Sequence, residues 1–131
     1  MSAKKKLSRI DLEKMKHNKQ PVAWITAYDF PTAQFAEAAG ADMLLVGDSL
    51  GMCVYGYSST VPVTMEQCIL HCEAVRRGAP NTFIVGDMPF LSYQVSIAEA
   101  VQNAGRQGFH PVHIQAINHL GGIRADQGNL A

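Results

Sequence analysis

Met43-Leu44-Leu45-Val46-Gly47-Asp48-Ser49-Leu50 is four uninterrupted apolar residues running straight into a glycine turn that carries a carboxylate and a hydroxyl. An apolar run without alternation is the pattern of a strand covered on both faces in a parallel sheet. The same pattern recurs downstream, where Phe83-Ile84-Val85 closes on Gly86-Asp87. Upstream, Val22-Ala23-Trp24-Ile25-Thr26 predicts a further strand covered on both faces. A weaker run from Val112 to Ile117 offers a fourth.

Helical signals fill the gaps between these runs. Ser8 with Asp11 forms a capping box for a helix to about Lys16, and Lys19-Gln20-Pro21 ends it. Pro31 suits a first turn and Gly40 suits the C′ position, which predicts a helix from about Pro31 to Ala39. After a longer connection from Leu50 to Pro62, Thr64-Met65-Glu66-Gln67 opens a helix that stops at Gly78. Its Cys68, Cys72 and Val75 share one face. Ser96-Ile97-Ala98-Glu99 opens a last helix through about Gln107, with Ile97, Ala100, Val101 and Ala104 on the expected inner face. A leading helix followed by βα, βα, βα and β implies an α/β protein with a parallel sheet and helices packed outside it. Right-handed crossovers allow an open doubly wound sheet or part of a (β/α)8 barrel. A complete barrel takes about 250 residues, and the chain has 131, so about half a barrel is expected.

Composition excludes several classes of partner. With 47% apolar and 17% charged residues the chain reads as a globular protein. Eleven basic residues balance eleven acidic ones, which gives no electrostatic case for nucleic acid. No stretch approaches the roughly 18 apolar residues that span a bilayer. Lys4, Lys5 and Lys6 read as a solvated, frayed start. Three cysteines, Cys53, Cys68 and Cys72, with no export signal, predict reduced thiols in a cytoplasmic protein. Cys68, His71 and Cys72 have helical spacing for a metal, but no fourth ligand stands at suitable spacing, and buried core thiols are expected instead.

The chemistry is concentrated at the strand ends. In parallel α/β folds the C-terminal ends of strands form the functional face, and Asp48 and Asp87 follow successive strands there. Two such carboxylates can share one hard divalent cation. Mg²⁺ suits them, because it takes one or two protein carboxylates and completes its octahedron with water and substrate oxygens. The alternative is that each aspartate only caps the turn after its strand. Gly47-Asp48-Ser49-Leu50 also spells the signature of the GDSL esterases. That chemistry needs a downstream Asp-x-x-His, and Asp126 is followed by Gln127, Gly128 and Asn129, so the esterase reading is rejected.

Five blocks in order resemble the ketopantoate hydroxymethyltransferase family. They are Thr26-Ala27-Tyr28-Asp29, Val46-Gly47-Asp48-Ser49-Leu50-Gly51-Met52, Val61-Pro62-Val63-Thr64, Ala74-Val75-Arg76-Arg77-Gly78-Ala79-Pro80 and Asp87-Met88-Pro89-Phe90-Leu91-Ser92-Tyr93. The resemblance implies a Mg²⁺-dependent (β/α)8 TIM barrel of pantothenate (coenzyme A) biosynthesis. Such an enzyme moves a one-carbon unit from 5,10-methylenetetrahydrofolate to 3-methyl-2-oxobutanoate and yields 2-dehydropantoate. It further implies that Asp48 and Asp87 ligate Mg²⁺ and frame the keto acid, that Ser49 holds its carboxylate, and that Tyr28 lines the pocket. A homo-oligomer is implied as well.

The block-by-block resemblance runs from about Lys14 to Arg106, which divides the chain into a partial barrel, 1–106, and a divergent tail, 107–131. The family's fourth strand ends Val-Lys-Leu-Glu-Gly-Gly, and neither that Lys nor that Glu has a counterpart in the tail. Three of the five histidines, His110, His113 and His119, lie there without a carboxylate. The family's catalytic base has no counterpart either, so no catalytic residue is assigned and a truncated or frameshifted product of low activity is expected. Two alternatives follow: an inactive fragment that associates with full-length subunits, or another Mg²⁺-dependent 2-oxo acid barrel of the phosphoenolpyruvate mutase and isocitrate lyase type.

Overall fold

A computed structural model describes residues 6–108 and 113–115 of the chain. The first half runs α1 (Arg9–His17), β1 (Trp24–Thr26), α2 (Phe30–Ala38), β2 (Met43–Val46) and α3 (Leu50–Cys53). The second half runs α4 (Met65–Gly78), β3 (Phe83–Asp87), α5 (Ile97–Gly108) and β4 (His113–Gln115). Helix starts sit where the sequence supplies an acceptor. Ser8 and Asp11 cap α1 reciprocally, and Thr64 and Gln67 do the same for α4. Asp29 accepts the Thr32 N–H at 2.8 Å ahead of α2, and Ser96 accepts the Glu99 N–H at 3.1 Å ahead of α5. Each such cap satisfies a donor that the first helical turn leaves unpaired.

All strand pairs are parallel and the spatial order is β1-β2-β3-β4. A doubly wound sheet reverses its strand order at a switch point. Here every strand lies beside its sequence neighbour, so the right-handed crossovers all fall on one face, which is the arrangement of a barrel arc. The register sorts the side chains. Leu44 and Val46 of β2 and Ile84 of β3 are fully buried with Ala33 and Ala36 of α2 and Cys68, Cys72 and Val75 of α4. Burying each of the larger apolar side chains contributes about 1.5–3 kcal/mol. Helices α2 and α4 meet closely because of Gly78. A Cβ there would stand 2.4 Å from the Phe30 carbonyl oxygen and 2.9 Å from Ala33 Cβ. Residues of opposite parity, Trp24, Thr26 and Leu45, line an open cavity of about 170 Å³ on the face away from that core.

Three expectations change. Strand β1 is not covered on both faces: Trp24 is 49% and Ile25 42% exposed. Its only neighbour in the described sheet is β2, so it is an edge strand with nothing described across from it. The inner face of α5 is polar where the sequence suggests apolar residues. Ile97 and Val101 are 86% and 68% exposed, while Asn103 and Gln107 are buried. Both polar side chains find partners on the inside, which offsets their burial: Asn103 Nδ2 donates to the Ser92 carbonyl at 2.8 Å, and Gln107 Nε2 donates to the Asp87 carbonyl at 3.1 Å. Finally, Asp87 is the last residue of β3, not the first after it. Of the tail, Gln107 and Gly108 finish α5 and His113–Gln115 form β4. His110, His119 and Asp126 lie outside the described residues.

Candidate functional site

Parallel pairing sets Leu45 beside Val85 and Val46 beside Gly86. One step further along both strands brings Gly47 and Asp87 level, on the parity of Leu45 and Val85. That is the face away from the helix core, at the C-terminal end of the sheet. The chain turns immediately after β2, and the Asp48 N–H donates to Asp87 Oδ2 at 3.3 Å. Asp48 and Asp87 are 5% and 4% exposed, so two carboxyl groups from adjacent strands are withdrawn from bulk water together. Gly47 makes room for the Asp87 carboxylate and the Ser49 hydroxyl. A Cβ at this position would lie 2.8 Å from Ser49 Oγ and 3.3 Å from Asp87 Oδ2.

Ser49 follows on the same turn, and its Oγ meets the Tyr28 hydroxyl at 2.7 Å. The structure therefore brings Tyr28, Asp48, Ser49 and Asp87 into one cluster. Burial holds the Tyr28 phenol above its ordinary pKa, opposed by the hydrogen bond to Ser49 and reinforced by Cys53 and Asp48. Among the described residues the partner of the Ser49 hydroxyl is a phenol. A second phenol stands near the pair. Burial raises the Tyr93 pKa first, and the negative charges of Asp48 and Asp87 raise it further, so Tyr93 is a neutral donor at physiological pH. It is carried on a pinned turn. Leu91 adopts φ 64°, a left-handed conformation unfavourable for a branched side chain, and the turn is held by Ser92 Oγ donating to the Pro89 carbonyl at 2.6 Å and by Asn103.

The motif that contains Tyr93 assigns it no role, and the apolar pattern of the sequence does not mark Asn103 and Gln107. The legible signal for those two was their spacing of four, which puts two amides on one helix face. Cys68 and Cys72 are fully buried core thiols. Burial pushes Cys68 up to about 12 and Cys72 up to about 11, which keeps both protonated. His71 is turned to other partners: its Nε2 meets the Tyr55 hydroxyl at 3.0 Å and its Nδ1 meets the Tyr28 carbonyl.

The donor set fits Mg²⁺. Asp48 and Asp87 supply hard carboxylate oxygens at adjacent strand ends, and Gly47 leaves open the space where a Cβ would crowd the Asp87 carboxylate. Among the described residues no group of three or more His, Cys, Asp or Glu side chains is placed to hold an ion. Mg²⁺ takes one or two protein carboxylates and fills its remaining positions with water or substrate oxygens.

Comparison with known proteins adds relatives to this geometry. A family model described as ketopantoate hydroxymethyltransferase matches residues 6–125, a span that continues past Arg106. The chain is 69% identical over 102 residues to 3-methyl-2-oxobutanoate hydroxymethyltransferase of Alkaliphilus metalliredigens (strain QYMF), covering 78% of this chain and 36% of that one. It is 63% identical over 99 residues to the enzyme of the same name from Geobacillus sp. (strain WCH70), with 76% and 36% covered. Against that of Bacillus cereus (strain G9842) it is 54% identical over 117 residues, with 86% and 42% covered. The chain thus spans well under half the length of these relatives. Among solved structures, 2,3-dimethylmalate lyase, a PEP mutase/isocitrate lyase superfamily member, superposes with a TM-score of 0.60 at 18% identity. That likeness covers 79% of this chain and 37% of the lyase and concerns the fold alone.

Proposed function

The chain belongs to the ketopantoate hydroxymethyltransferase family, and from that premise we propose that it carries the metal- and keto-acid-binding part of a 3-methyl-2-oxobutanoate hydroxymethyltransferase site. The observation that carries this reading is that two buried aspartates, Asp48 and Asp87, meet at adjacent strand ends, where the Asp48 backbone N–H donates to the Asp87 carboxylate at 3.3 Å, with the Ser49 hydroxyl on the same turn. Asp48 and Asp87 would hold Mg²⁺ and frame the keto acid, and Ser49, set by Tyr28, would receive its carboxylate. When bound, Mg²⁺ supplies Lewis acidity toward the oxygen that becomes negative as the keto acid loses its C3 proton. The buried setting of the aspartates keeps water from competing for those oxygens.

The reaction proposed for the whole site balances simply. The C3–H bond of 3-methyl-2-oxobutanoate breaks and a C–C bond forms to the methylene carbon of 5,10-methylenetetrahydrofolate. The carbon–nitrogen bonds to that methylene break, water supplies the hydroxyl, and tetrahydrofolate and 2-dehydropantoate leave. The proton-removing base is assigned to no residue of this stretch. A homo-oligomer and a cytoplasmic setting belong to the same proposal; among the described residues no helix is long and apolar enough to cross a membrane.

Saturation-transfer NMR on the methyl groups of 3-methyl-2-oxobutanoate tests the reading. Transfer is expected with Mg²⁺ present and is expected to vanish with EDTA and in Asp87→Asn. Absence of transfer at millimolar Mg²⁺ from folded wild-type chain contradicts the proposal.

A further inference from the structure

We infer that His71 is a positioning residue that sets Ser49 for its ligand by gripping the backbone of Tyr28 and the ring of Tyr55 at once. This inference rests on the reading of Ser49 as the group that receives the keto-acid carboxylate.

The argument begins with the tautomer. His71 Nδ1 faces the Tyr28 carbonyl oxygen, which can only accept, so Nδ1 carries a hydrogen and donates. In the neutral ring Nε2 then has a lone pair, and the Tyr55 hydroxyl at 3.0 Å donates to it. One imidazole therefore joins the loop after β1 to the connection between α3 and α4. Its neighbour one turn earlier on α4 works on the same connection, because Gln67 Nε2 donates to the Tyr57 hydroxyl at 3.3 Å. Tyr55 and Tyr57 stack with centroids 5.6 Å apart, and the Tyr55 ring meets the His71 ring edge-on at 5.7 Å. The imidazole is thus held in plane by an aromatic wall as well as by two hydrogen bonds.

What His71 holds is the root of the Tyr28 side chain. The next residue, Asp29, is fixed independently as the cap of α2. With its carbonyl gripped by His71 and its successor locked in a cap, Tyr28 has little backbone freedom. Its hydroxyl is then delivered to Ser49 Oγ at 2.7 Å. The chain His71–Tyr28–Ser49 runs from the outer helix to the strand-end turn through hydrogen bonds at each link. Asp48 and Asp87 are not on it. Their geometry depends on the β2–β3 pairing and the bond between them, so His71 governs the carboxylate end of the ligand and leaves the cation end alone.

Two substitutions separate the two grips. The amide nitrogen of Asn superposes on the Nδ1 position, so His71→Asn keeps the donor to Tyr28. The amide of Gln reaches the Nε2 position, so His71→Gln keeps the contact to Tyr55 and leaves the Tyr28 carbonyl without its donor. The affinity of the full chain for 3-methyl-2-oxobutanoate at saturating Mg²⁺ and, separately, for Mn²⁺ alone is measured for wild type, His71→Asn, His71→Gln and His71→Ala. The expected result is a keto-acid affinity weakened about tenfold in His71→Gln and His71→Ala and restored to within about threefold in His71→Asn. Mn²⁺ affinity is expected to stay unchanged in all four. Equal keto-acid affinity in His71→Gln and wild type overturns the inference, as does an Asn variant no better than Gln. Should His71→Ala fail to fold, the Asn–Gln pair still decides. Wild-type chain that binds Mn²⁺ but no keto acid overturns the reading of Ser49, and the inference with it.

Discussion

The backbone N–H of Asp48 and the carboxylate Oδ2 of Asp87 are 3.3 Å apart and bonded across the ends of β2 and β3. This one bond converts two residues 39 positions apart into a single buried feature. It also leaves the Asp48 side chain independent of the contact, since only its backbone takes part. The arrangement depends on parallel pairing in register: a slip of one residue would turn Asp87 toward the helix core.

Gly47 is required for space. Gly47→Ala is expected to fold with stability within about 1 kcal/mol of wild type, because its φ is not in the left-handed region. The added Cβ, 2.8 Å from Ser49 Oγ, displaces that hydroxyl from Tyr28. Loss of keto-acid binding with a near-native melting curve is the expected pair of results; full binding in the variant contradicts the packing described.

Thiol reactivity follows burial. Under native conditions at pH 8, iodoacetamide is expected to modify Cys53, which is exposed, and to spare Cys68 and Cys72. Peptide mass spectrometry reads this directly, with three adducts after denaturation. The linkage has a defined sign. A thiol whose folded pKa is raised contributes stability that is complete below its unfolded value, about 8.5, and is lost as pH rises above it. Melting temperature is therefore expected to fall from about pH 9 toward the folded values of about 11 and 12. Replacing both buried thiols by alanine is expected to flatten that decline while lowering stability at pH 7 through the cavities left behind.

Arg76 binds the turn that follows α4. Its Nη1 donates to the carbonyls of Ala79, Pro80 and Thr82 at 3.0, 3.3 and 2.9 Å. Glu37 holds the same turn from the other side, accepting from the Thr82 hydroxyl at 2.7 Å and the Asn81 N–H at 3.0 Å. Arg76→Met is expected to cost about 2–3 kcal/mol in urea unfolding, the scale of hydrogen bonds to a charged group. A cost under half of that would mean the three carbonyls are satisfied without the guanidinium.

The two faces of α5 make opposite predictions. Val101→Lys, on the exposed side, is expected to change stability by less than about 0.5 kcal/mol. Asn103→Leu is expected to destabilise by about 1–3 kcal/mol, because it strips the Ser92 carbonyl of its donor in a buried turn. Reversed magnitudes would restore the face that apolar spacing suggests.

The contrast on α5 shows what was legible in the sequence and what was not. Capping signals at Ser8, Thr64 and Ser96 and the apolar run Met43–Val46 located elements to within a residue or two, because caps and burial are local. Strand order and the level pairing of Gly47 with Asp87 are not local, yet alternating βα units constrain them strongly. The helix face failed because Ile97 and Val101 fit an apolar stripe as well as Asn103 and Gln107 fit a polar one. Only the partners at Ser92 and Asp87, supplied by another part of the chain, decide between the two. Trp24 and Ile25 failed for a related reason, since an apolar run reports suitability for burial, not whether an edge strand has a neighbour. At the site, Asp48 and Asp87 stand out by position at strand ends and Ser49 through the resemblance its motif carries, while the service of His71 to Tyr28 depends on a carbonyl 43 residues away.

Electron paramagnetic resonance of Mn²⁺, titrated into wild-type chain and into the Asp48→Asn and Asp87→Asn variants, tests the central claim most directly. Asparagine keeps the size of each side chain, and in Asp87→Asn its amide oxygen can still accept the Asp48 N–H, so the turn survives. The account predicts one bound ion per wild-type chain, competed away by Mg²⁺, and at least about tenfold weaker binding in either variant. Binding of equal strength in wild type and both variants, or none in folded wild type, would contradict it.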